Sequence, residues 1–431
     1  MKHGTSTLYK ANIFLLMLSL CCGMVFAQTN AIENPSYEDG LTGWRTWNRT
    51  TDAVRGAIVQ DPSAPDGSSV MEIRHTGDKD WSLLTNKRLA VTPGDILDLS
   101  IWGHVQGAGY AMLCLSLWDK DNNNLAWVFG SVNLAHGSEW KQVQRRVVIP
   151  RDVASVQPCV IGEGKTVVRL DLFSVCRAGN VSDLRTPGQP DVLTLSNPSM
   201  ELRFDTKTLS AQVRCRSSRK VWEQIPSLKE LVLKNIRKED ERTLTMELLD
   251  ATADRKFRST LQLDPDKAEY VITLDALNQT DAPFSGLTYP PPYRSQPGEY
   301  LVIPLNEGIS YPVEDETIEP RYLIAYGGHG ICMAFWGTTD GQSGYSAIIE
   351  TPDDGGIRID RHEKKLTVFP QWDPQLGKFG YERRLRYCFF GAGGYVGMAK
   401  RYRQYAQERA SSKHCVKKKR KSPPQHGWPV R

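Results

Sequence analysis

Apolar and polar residues alternate with a period of two through much of the stretch from Ser69 to Ala178. The alternation is clearest at residues 97–102, 113–118 and 168–173, where every second residue is Leu, Ile or Val. Because successive side chains of a strand point to opposite faces, this pattern predicts strands with one buried face. Turn signals such as Pro93-Gly94-Asp95 separate the strands. Several short strands at this spacing predict a β-sandwich of the jelly-roll type.

A second β pattern begins after residue 192. Alternation at 200–204, a turn at 205–207 and alternation at 209–213 predict a hairpin, and further strands are predicted downstream. Near the C-terminus the period changes, and the residues at helical spacing are Tyr395, Ala399, Tyr402 and Ala406. They predict an amphipathic helix that packs on a neighbour. The fold class expected is therefore all-β: an N-terminal jelly-roll β-sandwich, then a second, larger β-sandwich that ends in one amphipathic helix.

Composition shifts divide the chain into six segments. The linker is rich in Gly, Pro, Ser and Asn, and the tail is rich in Lys and Arg. The expected segments are a signal peptide (1–27), a jelly-roll module (28–178), a linker (179–192), a second β-sandwich (193–392), a helix leading out of it (393–409) and a basic tail (410–431).

The first 27 residues have the parts of a secretory signal peptide. A basic start that includes Lys2 and Lys10 precedes an apolar run at 13–20, and Val25-Phe26-Ala27 forms a cleavage site. An uncleaved anchor is the alternative, although the apolar run is short for a membrane span. We expect a secreted or periplasmic protein with no membrane span after signal cleavage.

Positive charge is concentrated in the tail. The net charge is +5, but residues 413–431 contain seven Lys and Arg and no acidic residue, so the rest of the chain carries about −2. This balance gives little support to a nucleic-acid partner. One hypothesis is that the tail is a frameshifted or truncated end of an enzyme whose catalytic domain followed. The alternative is a genuine tail that holds the protein on acidic polysaccharide or a cell surface.

The cysteines do not form a disulfide framework. Removal of the signal peptide leaves an odd number of scattered residues: Cys114, Cys159, Cys176, Cys215, Cys332, Cys388 and Cys415. Most lie in apolar strand patterns and are predicted to be small buried residues. Cys159 and Cys176 are the pair to test as a bridge, and no Cys/His spacing is typical of zinc.

The stretch from Asn34 to Trp44 (Asn-Pro-Ser-Tyr-Glu-Asp-Gly-Leu-Thr-Gly-Trp) resembles the start of CenC-type carbohydrate-binding modules. Those modules begin Asn-x-x-Phe-Glu-x-Gly-x-x-Gly-Trp, so Tyr37 replaces the usual Phe. The segment Val91-Thr-Pro-Gly-Asp95, followed by a strand that ends in Trp102, also matches that pattern. The resemblance covers about residues 30–177 and implies a galactose-binding-like jelly roll with a glycan as its partner.

The alternation places Trp102 and Trp118 opposite the buried leucines, with His104 and small polar residues beside them. Flat aromatic rings stack on the C–H face of a sugar, and polar side chains bind its hydroxyls. These residues are therefore candidates for carbohydrate binding, and Trp81 and Trp127 could extend the platform. The alternative is that the tryptophans fill a second layer of the sandwich or a contact between domains.

The same resemblance implies a structural calcium ion between the N-terminal Glu motif and the last strand. Carried over to this sequence, Glu38 and Asp171 would supply side-chain ligands, and backbone carbonyls would complete the oxygen shell that calcium prefers. The alternative is a surface carboxylate at Glu38 and a solvated aspartate at the end of a strand.

The second half resembles the β-supersandwich that precedes the catalytic barrel of endo-α-N-acetylgalactosaminidase-like glycoside hydrolases. The segments that carry this resemblance are Leu202–Asp205 with Val213 and Trp222, Gly330–Gly337 with Gly344-Tyr345, Ile348–Asp353 and Gly393–Arg403. It implies a domain that leads into a barrel of about 250 residues. Only 22 residues follow Arg409, so the barrel is missing from this sequence.

Glycosidases use a pair of carboxylates, and no pair in this sequence stands out. Acidic clusters occur at 314–316, at 353–354 and at Asp360 with Glu363, but solvated loops explain them equally well. The expected function is a secreted carbohydrate-binding protein, the non-catalytic N-terminal fragment of a glycoside hydrolase. The alternatives are a free-standing lectin or adhesin, and a small polysaccharide-degrading enzyme such as a lyase that uses a carboxylate or Tyr289 and Tyr293 of the second module.

Overall fold

The computed structural model describes residues 29–50, 53–218, 220–226, 231–253, 255–278, 286–306, 308–325 and 330–417. The predicted signal peptide and the sequence beyond residue 417 lie outside the described residues. The fold class is confirmed, because the described chain is almost entirely antiparallel β-sheet with one C-terminal helix. None of the helices described is long and apolar enough to cross a membrane.

The strands of the first module are β1 (Trp44–Asn48), β2 (Val54–Gln60), β3 (Ser69–His75), β4 (Asp80–Thr85), β5 (Leu89–Ala90), β6 (Asp95–Gly107), β7 (Tyr110–Trp118), β8 (Asn124–Asn133), β9 (Lys141–Val148), β10 (Ser155–Glu163) and β11 (Thr166–Asn180). They form two sheets. The front sheet has the order β1-β4-β10-β7-β8, with β5 paired to β10, and the back sheet has the order β2-β3-β11-β6-β9.

The first core lies between the front and back sheets. Leu99 of β6, Leu113 of β7 and Leu170 of β11 are buried in it, as the alternation predicts. The pairing register of β11 with β6 breaks at two places. The first break lies between Asp171 and Ser174, where Leu172 has a φ of 50°. This break turns Phe173 into the core and leaves Leu172 half-buried. The expectation that Leu172 belongs to the buried row is therefore wrong.

The motif from Asn34 to Trp44 forms a turn that is tied to itself. The Asn34 side-chain amide donates to the Gly40 carbonyl, and the Trp44 indole N–H donates to the Asn34 carbonyl. Gly40 and Gly43 have φ angles of 67° and 84°, a region that favours glycine. Tyr37 and Trp44 are buried with ring centroids 5.2 Å apart, so an aromatic ring at position 37 anchors the turn to the core.

The strands of the second module are β12 (Val192–Ser196), β13 (Met200–Asp205), β14 (Ser210–Cys215), β15 (Val221–Glu223), β16 (Leu231–Lys238), β17 (Thr243–Asp250), β18 (Arg255–Leu263), β19 (Glu269–Ala276), β20 (Tyr300–Ile303), β21 (Ile309–Pro312), β22 (Arg321–Ile324), β23 (Phe335–Thr339), β24 (Gly344–Ile349), β25 (Gly355–His362), β26 (Lys365–Trp372) and β27 (Arg383–Phe390).

These strands form sheets of four (β12-β13-β14-β15), nine (β16-β17-β18-β19-β27-β24-β23-β20-β21) and three (β22-β25-β26) strands. All three contribute to one large hydrophobic core, which includes Phe204, Trp336 and Trp372. Between the two modules a short 3-10 helix, Val181–Leu184, is capped by the Asn180 side chain. Val181 packs in a buried cluster that contains residues of both modules, so this part of the predicted linker is packed against its neighbours.

The α-helix α1 (Gly394–Lys417) lies on the nine-stranded sheet. Its buried face contains Met398, Tyr405 and the half-buried Tyr402, which pack against Phe335 and Ile348. The predicted stripe is wrong by about one residue, because Tyr395, Ala399 and Ala406 are exposed. The buried Glu269 carboxylate also holds the helix, since it accepts two hydrogen bonds from Arg401, at 2.6 and 2.9 Å.

The cysteines lie near different neighbours from those predicted. The Cys159 Sγ lies 3.4 Å from the Cys114 Sγ on the neighbouring strand, whereas Cys176 contacts Ser174 on the back sheet. Cys114, Cys159, Cys215, Cys332 and Cys388 are free thiols. A Cys159–Cys176 bridge would have to join two different sheets, and the structure does not bring those residues together.

Candidate functional site

The outer face of the front sheet is an open surface with aromatic residues at both edges. Trp47 lies on β1, one edge strand, and Trp127 lies on β8, the other. Their residues are 46% and 64% exposed, which is high for such large apolar side chains. Four strand spacings separate β1 from β8, so the two backbones are roughly 19 Å apart across the sheet.

The floor between these edges combines polar residues with two large apolar ones, Ile161 and Met112. A cross-strand row runs from Trp47 through Ser82, Ile161 and Met112 to Asn133. A parallel row joins Ser116 to Gln157, whose amide donates to the Thr85 carbonyl. Ser82, Ser116 and Gln157 are buried, so the half-buried Ile161 and Met112 are the more accessible part of this floor.

Trp118 supports Trp127. The two rings meet edge to face with centroids 5.5 Å apart, and the Ser116 hydroxyl donates to the Trp127 carbonyl at 2.9 Å. The Arg88 guanidinium lies 3.4 Å from the centroid of the Trp118 ring and covers that face. Trp118 therefore positions Trp127, and the more exposed ring is the one available to a ligand.

Tyr110 adds a third exposed ring to the same face. It is 41% exposed, and its hydroxyl donates to the Glu163 carboxylate at 3.0 Å. Burial and the Glu163 carboxylate together raise the pKa of Tyr110. A bidentate ion pair of Arg49 with Asp80 lies nearby on the sheet edge and lowers the pKa of Asp80.

The structure separates the predicted sugar-binding residues between the two sheets. Trp118 and Trp127 lie on the front sheet, whereas Trp102 and His104 lie on β6 of the back sheet. The prediction that Trp102 and Trp118 share one platform is therefore wrong. Strands β6 and β7 follow each other in the chain, but the connection between them crosses from one sheet to the other.

Two loops cover the region of the back sheet around His104. Trp140 packs edge to face against the His104 ring at 5.1 Å and donates to the Ser63 hydroxyl. Asp61 of the opposite loop is ion-paired with Arg169 at 2.9 Å. His104 is buried, and burial lowers its pKa. These contacts give His104 a packing role, and they leave the front sheet as the more open face.

Trp81 is completely buried in the first core, so it cannot extend a surface platform. The position is tight, since a Cβ added at Gly162 would overlap the Trp81 ring. Trp47, by contrast, was not singled out from the sequence. A signal existed: Trp44 and Trp47 are an odd number of residues apart on one strand, so if Trp44 is buried, Trp47 points outward.

Glu38 and Asp171 lie on either side of the loop at residues 66–69. The Glu38 carboxylate accepts from the amides of Ser68 (2.9 Å) and Ser69 (2.8 Å), and the Asp171 carboxylate accepts from the Asp66 amide (2.9 Å). A Cβ at Gly67 would overlap the Glu38 carboxylate. The structure thus brings together the two residues predicted as metal ligands.

The charges at this loop favour a cation. Asp171 is fully buried, and burial together with the nearby Asp66 and Glu38 carboxylates raises its pKa. The Ser69 and Ser68 amides lower the pKa of Glu38. Neither Glu38 nor Asp171 is in an ion pair within the described part of the chain. No group of three His, Cys, Asp or Glu side chains suited to a metal occurs among the described residues, so backbone oxygens would have to complete any shell.

The candidate acidic groups of the second module have structural partners. The Asp354 carboxylate accepts from the Tyr381 hydroxyl at 2.8 Å, Asp315 accepts from Thr317, and Glu363 is ion-paired with Arg294 at 2.6 Å. Tyr289 and Tyr293 are buried in the large core, where their hydroxyls bond to Ser259 and Tyr270. The suggestion that these two tyrosines act on a substrate is corrected, because neither reaches the surface.

No protein-family model matches this chain, and no curated protein does. Several solved structures are similar to it. An alpha-N-acetylgalactosaminidase, NagBb from Bifidobacterium bifidum, matches with a TM-score of 0.42 and 19% identity over 50% of this chain. The match covers 39% of the length of that enzyme.

Carbohydrate-binding modules are among the other similar structures. TmCBM61, solved in complex with beta-1,4-galactotriose, matches with a TM-score of 0.26 and 21% identity over 35% of this chain and 99% of that chain. The CBM22-1–GH10 modules of Clostridium thermocellum endo-1,4-beta-D-xylanase 10B match with a TM-score of 0.28 and 15% identity over 35% of this chain and 29% of that chain. All these matches are below 25% identity, and function is argued below from this chain's own residues.

Proposed function

We propose that this chain is a secreted carbohydrate-binding protein whose CenC-type first module holds a glycan on the outer face of the front sheet. The observation that carries the proposal is the pair of exposed rings, Trp47 and Trp127, at opposite edges of the front sheet. Exposed apolar rings are costly in water, and a sugar ring stacked on them removes that surface from solvent.

The arrangement suits an oligosaccharide better than a single sugar. A span of roughly 19 Å between the two strands is longer than one sugar ring, so each tryptophan would contact a different part of the chain. Polar groups at the periphery, including the Tyr110 hydroxyl and the Arg45 guanidinium, are placed to bind sugar hydroxyls. We propose binding without cleavage, as expected of the accessory part of a glycoside hydrolase.

A glycan-array screen of the mature chain tests this function, with release of reducing ends measured on every glycan that binds. The Trp47→Ala/Trp127→Ala variant should lose binding, while Trp102→Ala, on the other sheet, should keep it. Release of sugar would overturn the claim of binding without cleavage. Binding that is lost in Trp102→Ala and kept in the double variant would move the site to the back sheet.

We also propose that the Glu38–Asp171 pair is a structural calcium site. The support is the buried Asp171 carboxylate with two acidic neighbours, an arrangement that a cation would relieve. Calcium there would supply charge neutralisation and tie the N-terminal turn to β11, with Glu38 and Asp171 as side-chain ligands. Addition of calcium to chelator-treated protein should raise the melting temperature, and Asp171→Asn should lose most of that rise. An equal rise in both proteins would contradict the assignment.

A further inference from the structure

A basic groove lies between the two modules, and neither of the exposed tryptophans lines it. It encloses about 800 Å³, within the range of known ligand sites. Arg145, Arg146 and Arg151 of the first module line one wall, and Arg294, Arg358 and His362 of the second line the other. Asp152 and Glu363 are the acidic residues that line it, so arginines outnumber carboxylates.

Among the described residues, two of the five groove arginines form ion pairs and the other three do not. Arg146 forms a bidentate pair with Asp98, and Arg294 pairs with Glu363 at 2.6 Å. Arg358 contacts the neutral side chain of Gln371 at 2.8 Å. None of the ion pairs formed among the described residues includes Arg145, Arg151 or Arg358. The groove therefore has positive charge on both walls that no carboxylate of the described residues neutralises.

The cluster stands out against the rest of the chain. Without the seven cations at 413–431, the chain carries about −2, so arginines gathered at one groove are a local feature. Arginine guanidinium groups bind carboxylates and sulfates through paired hydrogen bonds. Hydroxyl groups of Thr252 and Thr288 and the amide of Gln371 also line the groove, and these groups match a polyhydroxylated ligand.

We propose that this groove binds an acidic polysaccharide, through carboxylate or sulfate groups that contact arginines of both modules at once. Neither Trp47 nor Trp127 lines the groove, although Phe129 and Gly130 of β8 do, and the choice of a glycan as its ligand rests on the proposed function. A bound chain would bridge the two modules, because Arg145 and Arg151 approach it from one side and Arg358 from the other.

The test uses the full mature chain with three probes: polygalacturonate, dextran sulfate and neutral galactan. Affinity electrophoresis at low and physiological salt measures each dissociation constant. The groove variant is Arg145→Gln/Arg151→Gln. The control is Arg214→Gln/Arg216→Gln, which removes the same charge from exposed arginines that do not line the groove.

The groove variant should bind the acidic probe about tenfold more weakly than wild type, since two charge contacts are lost. The control should match wild type, and added salt should reduce the difference. Preference for polygalacturonate or for dextran sulfate would identify the carboxylate or the sulfate as the bound group. Neutral galactan should bind both arginine variants equally.

Three results would overturn the proposal: no binding of either acidic probe at low salt, an equal loss in groove and control variants, or loss of acidic binding in Trp47→Ala/Trp127→Ala. The last result would place every glycan on the front sheet. Failure of the proposed function would give a different result. In that case Trp47→Ala/Trp127→Ala would bind galactan as well as wild type does, while Arg145→Gln/Arg151→Gln would still bind the acidic probe more weakly.

Discussion

Truncation of Trp127 should weaken glycan binding more than truncation of Trp47, because more of its ring is available. A tryptophan side chain has about 250 Å² of surface. At 64% exposure Trp127 offers roughly 160 Å², and at 46% Trp47 offers roughly 115 Å². A sugar stacked on one face of each ring would cover about half of that area.

These areas convert to free energies of binding. At about 25 cal/mol per Å², half of the exposed surface corresponds to about 2 kcal/mol for Trp127 and about 1.4 kcal/mol for Trp47. We therefore expect Trp127→Ala to raise the dissociation constant roughly 30-fold and Trp47→Ala roughly tenfold. Because the two residues are roughly 19 Å apart across the sheet, the effects should add, to roughly 300-fold in the double variant.

Isothermal titration calorimetry with the best oligosaccharide from the array measures these constants. Thermal melts of each variant check that the fold is kept, which is expected because both side chains are exposed. Affinity unchanged in Trp127→Ala would refute the stacking argument. A double variant no weaker than Trp127→Ala alone would show that the ligand does not span the sheet.

Three further measurements test other parts of the structure. Met398→Ala should lower the free energy of unfolding in urea by about 3 kcal/mol, because Met398 is buried under α1. Tyr395→Ala should change it by less than about 0.5 kcal/mol, because Tyr395 is exposed. Equal effects of the two variants would contradict the buried face assigned to α1. Burial would raise the pKa of Asp340, but the Ser343 hydroxyl, the Gln342 amide and Lys220 lower it to about 2. The stability that comes from this depressed pKa is present at neutral pH and is lost as the pH falls from about 4 to about 2. Asp340→Asn should therefore lower the free energy of unfolding by about 1 kcal/mol at pH 7. In thermal melts at about pH 2 the variant and the wild type should have nearly the same stability. Treatment with diamide, a thiol oxidant, should join Cys114 to Cys159, and peptide mapping that found Cys159 joined to Cys176 would contradict the register of β7 and β10.

The sequence pattern predicts which residues of a strand are buried, but it does not tell which sheet the strand joins. The alternation correctly places Leu99 and Leu113 in the core and Trp102 and Trp118 outside it. The two tryptophans nevertheless lie on different sheets, because β6 pairs with the later strands β9 and β11, whereas β7 pairs with β8 and β10. The two-residue period shows which side chains of a strand face the core, whereas long-range pairing decides which sheet the strand joins.

Local irregularities account for other differences. In β11 the φ of 50° at Leu172 moves the buried row from Leu172 to Phe173, and no glycine or proline marks that bulge in the sequence. In α1 two stripes one residue apart are both compatible with helical spacing, and contact with Phe335 selects the one that contains Met398. The Glu38–Asp171 pair was predicted from a family resemblance. No local sequence pattern could show it, because 133 positions separate the two residues along the chain.

The place of β27 in the nine-stranded sheet has a consequence for how the protein is made. This strand is the last in the chain, yet it lies between β19 and β24 and joins the two halves of the sheet. Until residues 383–390 have been synthesised, β19 has an unpaired edge that carries Tyr270, Ile272 and Leu274. At the usual rates of translation that wait lasts roughly 5 to 20 seconds after β19 emerges. Open apolar edges recruit other strands, so we expect nascent chains of this protein to need a chaperone during that interval.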